Sequence, residues 1–250
     1  VCGHLQTNEL DNVEQYYAEE YSVNSSSEDE DQLYAVINGE PIYRADHQAR
    51  ILNHKVSFEP GSNVLDYGCA KAPTLKKILD QGVDVNAHLF DVTKRYVPFW
   101  ERFPVGTKWA VSKVDSDWVG KMDVVLSFYA LEHVVDLKLG MENITQLMRA
   151  GGVFYFIVPN VYKNVADFIV ADHVNHFSRS SLLWLMQESG FVNVDVDDTS
   201  HDAAFVVSGE YVGTSNGESA QVSELTKTLI AIDHQSVKEM SEYWSEIIGK

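Results

Sequence analysis

From Gly61 onward, short apolar runs alternate with segments of helical periodicity. Asn63–Tyr67, Ala87–Phe90, Lys108–Ser112, Asp123–Phe128 and Val153–Val158 predict strands. Leu75–Leu79 and Leu137–Met148 carry helical spacing, and a Tyr96–Phe103 region is interrupted by Pro98. Such alternation predicts βαβ units around a parallel sheet. Ahead of it, Ala45, Ala49, Ile51, Leu52 and Val56 place a helix over Arg44–Val56. Behind it lie a polar turn region, Pro159–Ser178, and an amphipathic helix over Ser180–Ser189, capped by Ser178 or Ser180 and stopped by Gly190. Phe191–Val196 and Ala203–Val212 then predict two strands, the second entered through the polar Asp197–Asp202 turn and antiparallel. Helical spacing returns in Glu218–Ile248.

The first forty or so residues are polar, and the run Ser25-Ser26-Ser27-Glu28-Asp29-Glu30-Asp31 has no apolar period, so residues 1–43 are expected to be a loose acidic segment. Residues 44–213 then form the one large domain, and residues 214–250 a helical tail or the lead-in to a further domain. Lys and Arg number 19 against 37 Asp and Glu, a formal charge of 19 − 37 = −18, which argues against nucleic acid or an anionic membrane as partner. The longest apolar run, Val153–Pro159, falls well short of the roughly 20 residues that cross a bilayer. Only Cys2 and Cys69 are present, so a reducing, cytoplasmic setting is expected. The chain starts at Val1 rather than Met and is read as part of something longer.

The sharpest local signal is Asn63-Val64-Leu65-Asp66-Tyr67-Gly68-Cys69-Ala70-Lys71-Ala72-Pro73-Thr74, an apolar strand ending in an acid and a glycine, then small residues and a helix. A ligand can approach the backbone closely at such a turn, which in an open α/β sheet lies at the carboxyl end of the strands. Asp91 closes the next apolar run, where a carboxylate suits a ribose diol.

With these features, the chain resembles the class I S-adenosylmethionine-dependent methyltransferases across roughly Ser62–Val212. Val64-Leu65-Asp66-Tyr67-Gly68-Cys69 is similar to the first motif, in which acid and glycine lie against the methionine part of the cofactor, and Asp91 to the ribose-binding acid. Asp123-Val124-Val125-Leu126-Ser127-Phe128-Tyr129-Ala130-Leu131-Glu132-His133-Val134 resembles the fourth strand with the Leu-Glu-His segment of small-molecule members. Leu147-Met148-Arg149-Ala150-Gly151-Gly152-Val153 and Val158-Pro159-Asn160 resemble the Gly-Gly turn and fifth strand. Asp172-His173-Val174-Asn175-His176-Phe177-Ser178 is similar to members acting on sugars and other small metabolites, including sugar C-methyltransferases. The resemblance implies a Rossmann-like α/β fold: a mostly parallel seven-stranded sheet with an antiparallel terminal hairpin and helices on both faces. Some of those relatives begin with a zinc-binding segment, and Cys2 with His4 resembles its tail, though two ligands cannot complete a tetrahedral site.

The resemblance also implies the cofactor, S-adenosyl-L-methionine, and a small-molecule methyl acceptor such as a sugar or nucleotide sugar, at carbon or oxygen. Asp66, Gly68 and Asp91 are carried over as cofactor residues, with Ser127 and Phe128 as backbone contacts. Asp115, in the Val114–Trp118 loop, is the candidate adenine partner, with an aromatic to cover the ring. His133 is the candidate general base or acceptor-positioning group, since imidazole titrates near neutrality. His173 and His176, with Asp172 beside them, read either as metal ligands or as acceptor-site groups; with no third clear ligand the acceptor site is favoured, the other histidine packing or capping the next helix. His176 is taken with Tyr129 as the catalytic candidate, and Tyr155 as a packing residue. Lys71, Arg95 and Lys163 are possible suppliers of positive charge to a diphosphate.

Two departures stand out. Ala70 and Ala72 occupy positions where the family usually has glycine, and their methyl groups narrow the backbone approach or reshape the loop. Tyr129 replaces the first acid of the Glu-x-x-Glu-His metal cluster of some relatives, so no metal is carried over. A degenerate, non-catalytic cofactor-binding or interaction module is therefore the alternative reading. A nicotinamide dehydrogenase is disfavoured because Gly-x-Gly-x-x-Gly is absent.

Overall fold

The computed structural model describes residues 4–7 and 31–213, together with Ala231, Gln235 and Lys238. Cys2, the acidic run before Asp31 and the rest of the expected C-terminal helical tail lie outside the described residues.

A short strand, β1 (Leu5–Gln6), and a hairpin of β2 (Leu33–Ile37) and β3 (Glu40–Tyr43) precede helix α1 (Arg44–Lys55). Then follow β4 (Ser62–Tyr67), α2 (Pro73–Asp80), β5 (Val85–Asp91), α3 (Val97–Trp100), β6 (Lys108–Val111), β7 (Met122–Phe128), α4 (Leu137–Leu147), β8 (Met148–Pro159), β9 (Asn175–His176), α5 (Arg179–Glu188), β10 (Phe191–Asp197) and β11 (Ala204–Tyr211). Seven strands form the main sheet in the order β10-β11-β8-β7-β4-β5-β6. The ladders from β8 through β6 are parallel, and β11 runs antiparallel to both β8 and β10. The expected α/β sheet with its terminal hairpin is thus the observed one.

Both faces of the sheet are buried, and the two-residue period of the strands distributes their side chains between two cores. Val64, Val124, Leu126, Tyr155 and Ile157 pack with Leu52 of α1 and Leu75 and Ile78 of α2. The intervening Leu65, Val125, Phe154 and Phe156 pack with Ile144 of α4 and Leu182 and Met186 of α5. Helix α5 starts at Ser178, which receives the Ser181 amide while the Ser181 hydroxyl answers the Ser178 amide, so Ser178 rather than Ser180 is the cap.

Part of the segment expected to be loose is ordered. Leu5 and Gln6 pair antiparallel with His176 and Asn175. The β2–β3 hairpin turns on Asn38-Gly39, both at positive φ (55° and 86°), the pair that a two-residue hairpin turn favours.

Leaving β4, the chain adds β5 and β6 on one side and then crosses to β7 on the other. The β4–β7 ladder ends at Asp66–Leu126, whereas β7 stays paired with β8 up to Phe128–Ile157. The opening beside this switch point is where ligands bind in open α/β sheets.

Candidate active site

The turn after β4 runs through Gly68, Ala70 and Ala72 in the left-handed region, at φ of 72°, 47° and 55°. The Gly68 and Cys69 amides donate to the Phe90 carbonyl at 2.9 and 3.0 Å. The Ala70 amide donates to Asp91 Oδ2 at 2.8 Å, and the Trp100 indole N–H donates to the Ala70 carbonyl at 2.7 Å. A Cβ on Gly68 would stand 2.7 Å from that of Ala130, so only glycine fits where this turn meets the end of β7. The two alanines adopt the backbone that glycine would supply, each at a cost of about 1–2 kcal/mol. Their methyl groups pack with the α1–α2 core. The loop therefore keeps the left-handed geometry of a glycine-rich turn, which removes the motive for reading it as degenerate.

Asp66 is 1% exposed, its Oδ1 has no hydrogen-bond partner, and burial together with the nearby Asp91 charge pushes its carboxyl up to about 8. A buried acid lacking a partner suits a cationic ligand group, which would restore its ionised form. Burial also raises the Asp91 carboxyl, opposed by the N–H groups of Thr93 and Ala70. Asp91 Oδ1 accepts from the Thr93 amide at 3.0 Å and Oδ2 from Ala70, and each oxygen keeps a second acceptor site for a diol.

Ser127 and Phe128 border the opening. The Ser127 hydroxyl donates to the Tyr67 carbonyl at 2.9 Å, tying β7 to β4 beyond the ladder. Asp115 is exposed and accepts from the Asp117 amide at 2.9 Å, capping the turn Ser116–Trp118. Trp118, the aromatic of that loop, is buried edge-on against His88 at 5.0 Å between centroids and belongs to the core rather than to a ring-covering surface.

At the end of β7, Tyr129 also holds a left-handed backbone, at φ 54°, fixed by its amide donating to the Ile157 carbonyl at 2.9 Å. The Tyr129 hydroxyl lies 3.3 Å from His201 Nε2, and the Arg44 guanidinium stands 4.9 Å over its ring. His201 meets Tyr34 and His47 edge-on, while Tyr34 stacks on His47 at 3.7 Å. Burial lowers both imidazoles below their usual value. Tyr34, Arg44, His47 and His201 were not singled out in the sequence because they come from the hairpin, α1 and the β10–β11 loop, joined only by the fold. Of the expected cations, Lys71 sits over the Phe99 ring and Lys163 donates to the Asp198 carbonyl; Arg44 is the cation beside Tyr129.

The turn Leu131–His133 carries Glu132, which is fully buried with both carboxylate oxygens unpartnered. Burial pushes its carboxyl up, against the charges of His133 and His173. His133 Nδ1 lies 3.0 Å from the Asp172 carbonyl and 3.3 Å from its Oδ2. Burial alone would lower this imidazole, but Asp172 and Glu132 outweigh it and raise it. His173 stacks edge-on to His133, centroids 4.8 Å apart, and its Nδ1 reaches Asp167 Oδ1 at 2.6 Å. His176 is different. It is buried in β9, its Nδ1 on the other oxygen of Asp167 at 3.0 Å and its ring against Phe168, so the histidine that joins Glu132 and His133 is His173. Buried Asn175 locks the two loops, donating to the Leu131 and Val134 carbonyls at 2.9 and 2.7 Å and accepting from His4 and Gln6. Tyr155 is buried in the core.

A family described as "Methyltransferase domain" matches residues 43–196. No curated protein sequence matches the chain. Among solved structures, the complex between the Haloferax volcanii Trm112 methyltransferase activator and its methyltransferase is similar at TM-score 0.56 and 16% identity, covering 68% of this chain and 91% of that one. The CurJ carbon methyltransferase matches at TM-score 0.55 and 13% identity, over 66% of this chain and 54% of that one. A Burkholderia thailandensis 1,6-didemethyltoxoflavin-N1-methyltransferase, solved with S-adenosylhomocysteine, matches at TM-score 0.52 and 17% identity, over 68% of this chain and 78% of that one. At these identities the likeness is one of fold.

Proposed function

The chain belongs to the class I S-adenosylmethionine-dependent methyltransferases, and from that membership we propose that its acceptor is a small, hydroxylated polar metabolite, a sugar or nucleotide sugar, methylated at carbon or oxygen. The observation that supports this reading is the cluster at the end of β7, where the rings of Tyr34, His47, Tyr129 and His201 and the Arg44 guanidinium come together, the His47 nitrogens held by the Ser200 carbonyl and Arg50. Aromatic faces take the C–H surface of a sugar, the polar tips take its hydroxyls, and Arg44 suits an anionic substituent.

S-adenosylmethionine supplies an electrophilic methyl group on a sulfonium, and the residues present fit it. The unpartnered Asp66 oxygen would take the cationic methionine end, and Gly68, which makes room for Ala130 at the end of β7, would set the turn beside it. Asp91 would hold the ribose diol, the backbone of Ser127 and Phe128 would border the methionine, and Asp115 would reach the adenine edge.

Displacement at a methyl group needs little covalent help, so the protein's task is to orient the acceptor and exclude water. Tyr129 and His201 orient acceptor hydroxyls. His133, steadied by Asp172, either receives the acceptor proton or positions the acceptor.

A screen of sugars and nucleotide sugars with methyl-labelled cofactor tests the reading, followed by kinetics of His133→Ala. A labelled sugar product, with turnover cut by roughly 10²–10⁴-fold in the variant and cofactor affinity unchanged, is the expected result. Labelling of aromatic or amine acceptors alone would overturn the acceptor class, and near-normal turnover in the variant would remove His133.

A further inference from the structure

Glu132, His133 and His173 each offer one ligand atom, and these atoms lie within 4.8 Å of one another. From sequence no metal is carried over, because Tyr129 stands at the first acid of the local cluster and the His173–His176 pair lacks a third clear ligand; the fold brings the two halves together, His173 arriving from a distant loop. Packing has brought it in: the Val174 amide donates to the Glu132 carbonyl at 2.8 Å, and Asn175 bonds to both ends of the Leu131–Val134 turn.

Two further features separate this cluster from a chance meeting of polar side chains. Glu132 is 0% exposed with neither oxygen partnered, a cost that a buried carboxylate escapes only by protonation or by a cation. Each imidazole is also held from behind, His133 Nδ1 by Asp172 and His173 Nδ1 by Asp167 Oδ1, and the rings are fixed at 80° to one another. An imidazole anchored through Nδ1 by a carboxylate is the arrangement in which Nε2 ligates a metal.

We infer that Glu132, His133 and His173 form a site for one divalent first-row transition ion, with Asp172 and Asp167 as the outer partners that orient the two histidines. Two imidazoles and one carboxylate match Zn²⁺ or Co²⁺ rather than Mg²⁺, which prefers oxygen ligands and keeps its waters. Three protein ligands leave a coordination position for an acceptor oxygen. The ion would occupy the imidazole lone pair that a general base needs, so His133 takes the positioning role of the two described above. That use rests on the methyl-transfer reading; the ion site itself does not.

The test is calorimetric titration of the chelator-treated full chain with Zn²⁺, with Mg²⁺ as competitor and S-adenosylhomocysteine titrated separately into every variant. One Zn²⁺ per chain is expected, undisturbed by Mg²⁺. Glu132→Gln and His173→Asn should abolish saturable binding, and Asp167→Asn should weaken it by roughly 10- to 100-fold, while S-adenosylhomocysteine binding is kept. The wild-type chain with Co²⁺ needs no variant: visible bands of a low-symmetry nitrogen- and oxygen-bound ion are expected. Absence of stoichiometric Zn²⁺ uptake, uptake unchanged in both ligand variants, or the spectrum of hydrated Co²⁺ would overturn the site. Loss of S-adenosylhomocysteine binding with Zn²⁺ uptake intact would instead count against the methyl-transfer reading alone.

Discussion

Gly68→Ala joins the cofactor turn to the end of β7 in one measurable quantity. The new methyl group meets two penalties. At φ 72° a non-glycine residue costs about 1–2 kcal/mol, offset by the roughly 0.4–1 kcal/mol that alanine contributes by restricting the unfolded chain. Its Cβ would also stand 2.7 Å from that of Ala130, well inside the ~3.5–4.0 Å of a good carbon contact, and relieving such overpacking costs about 1–3 kcal/mol. Together these give a destabilisation of about 1–5 kcal/mol, centred near 3, read from urea unfolding midpoints at constant m. Ala130→Gly alone should cost under about 1 kcal/mol. Combined with Gly68→Ala it removes the clash but not the backbone strain, so the double variant should recover about 1–2 kcal/mol relative to additivity. S-adenosylhomocysteine affinity should fall in the single variant and partly return in the double. Strict additivity of the two substitutions would refute the argument that these methyl groups collide.

Asp66 gives a pH signature. Its carboxyl titrates at about 8 in the fold against 3.8 when unconstrained, so the folded chain holds a proton that the unfolded chain has lost. The sign is a loss of stability as pH rises from about 4 to 8, with an upper bound on the order of 6 kcal/mol from this group. Asp66→Asn should flatten that slope in denaturation curves of the cofactor-free chain, and an unchanged slope would show that Asp66 does not carry the buried proton. Asn175→Ala takes the side-chain donor from both carbonyls, leaving Leu131 with only the Val134 amide and Val134 with none, and should cost about 1–3 kcal/mol; a cost below about 0.5 kcal/mol would mean that the two loops are held elsewhere. Tyr129→Phe should raise the acceptor KM several-fold with cofactor affinity unchanged, since it removes only the hydroxyl beside His201; an unchanged KM would take Tyr129 out of the acceptor wall.

The sheet was legible because its signal is local. Val64-Leu65, Val124-Val125-Leu126 and Phe154-Tyr155-Phe156-Ile157 are continuous apolar runs whose alternate residues face two different cores. That is how a strand buried on both faces must read. The turn after β4 was located by its motif, but the effect of Ala70 and Ala72 was not, because φ is imposed by the Phe90, Asp91 and Trp100 contacts that surround them. The β2–β3 hairpin was hidden under the acidic composition of the N-terminal segment although Asn38-Gly39 was a readable sign. His173 could be paired with His176 by spacing, but which of the two meets Glu132 depends on Val174 and Asn175 bonding the Leu131–Val134 turn, a contact between segments far apart in the sequence. The Tyr34, Arg44, His47 and His201 wall had no sequence signature, since its residues come from three separate segments, the hairpin, α1 and the β10–β11 loop.

The central claim is tested most directly by calorimetric titration of the purified chain with S-adenosylmethionine and S-adenosylhomocysteine, with oxidised nicotinamide dinucleotide as control. The account predicts saturable one-to-one binding of the first two, its loss in Asp91→Ala, and no heat from the dinucleotide. A folded chain that binds neither adenosyl compound, or binds them equally well without Asp91, would contradict it.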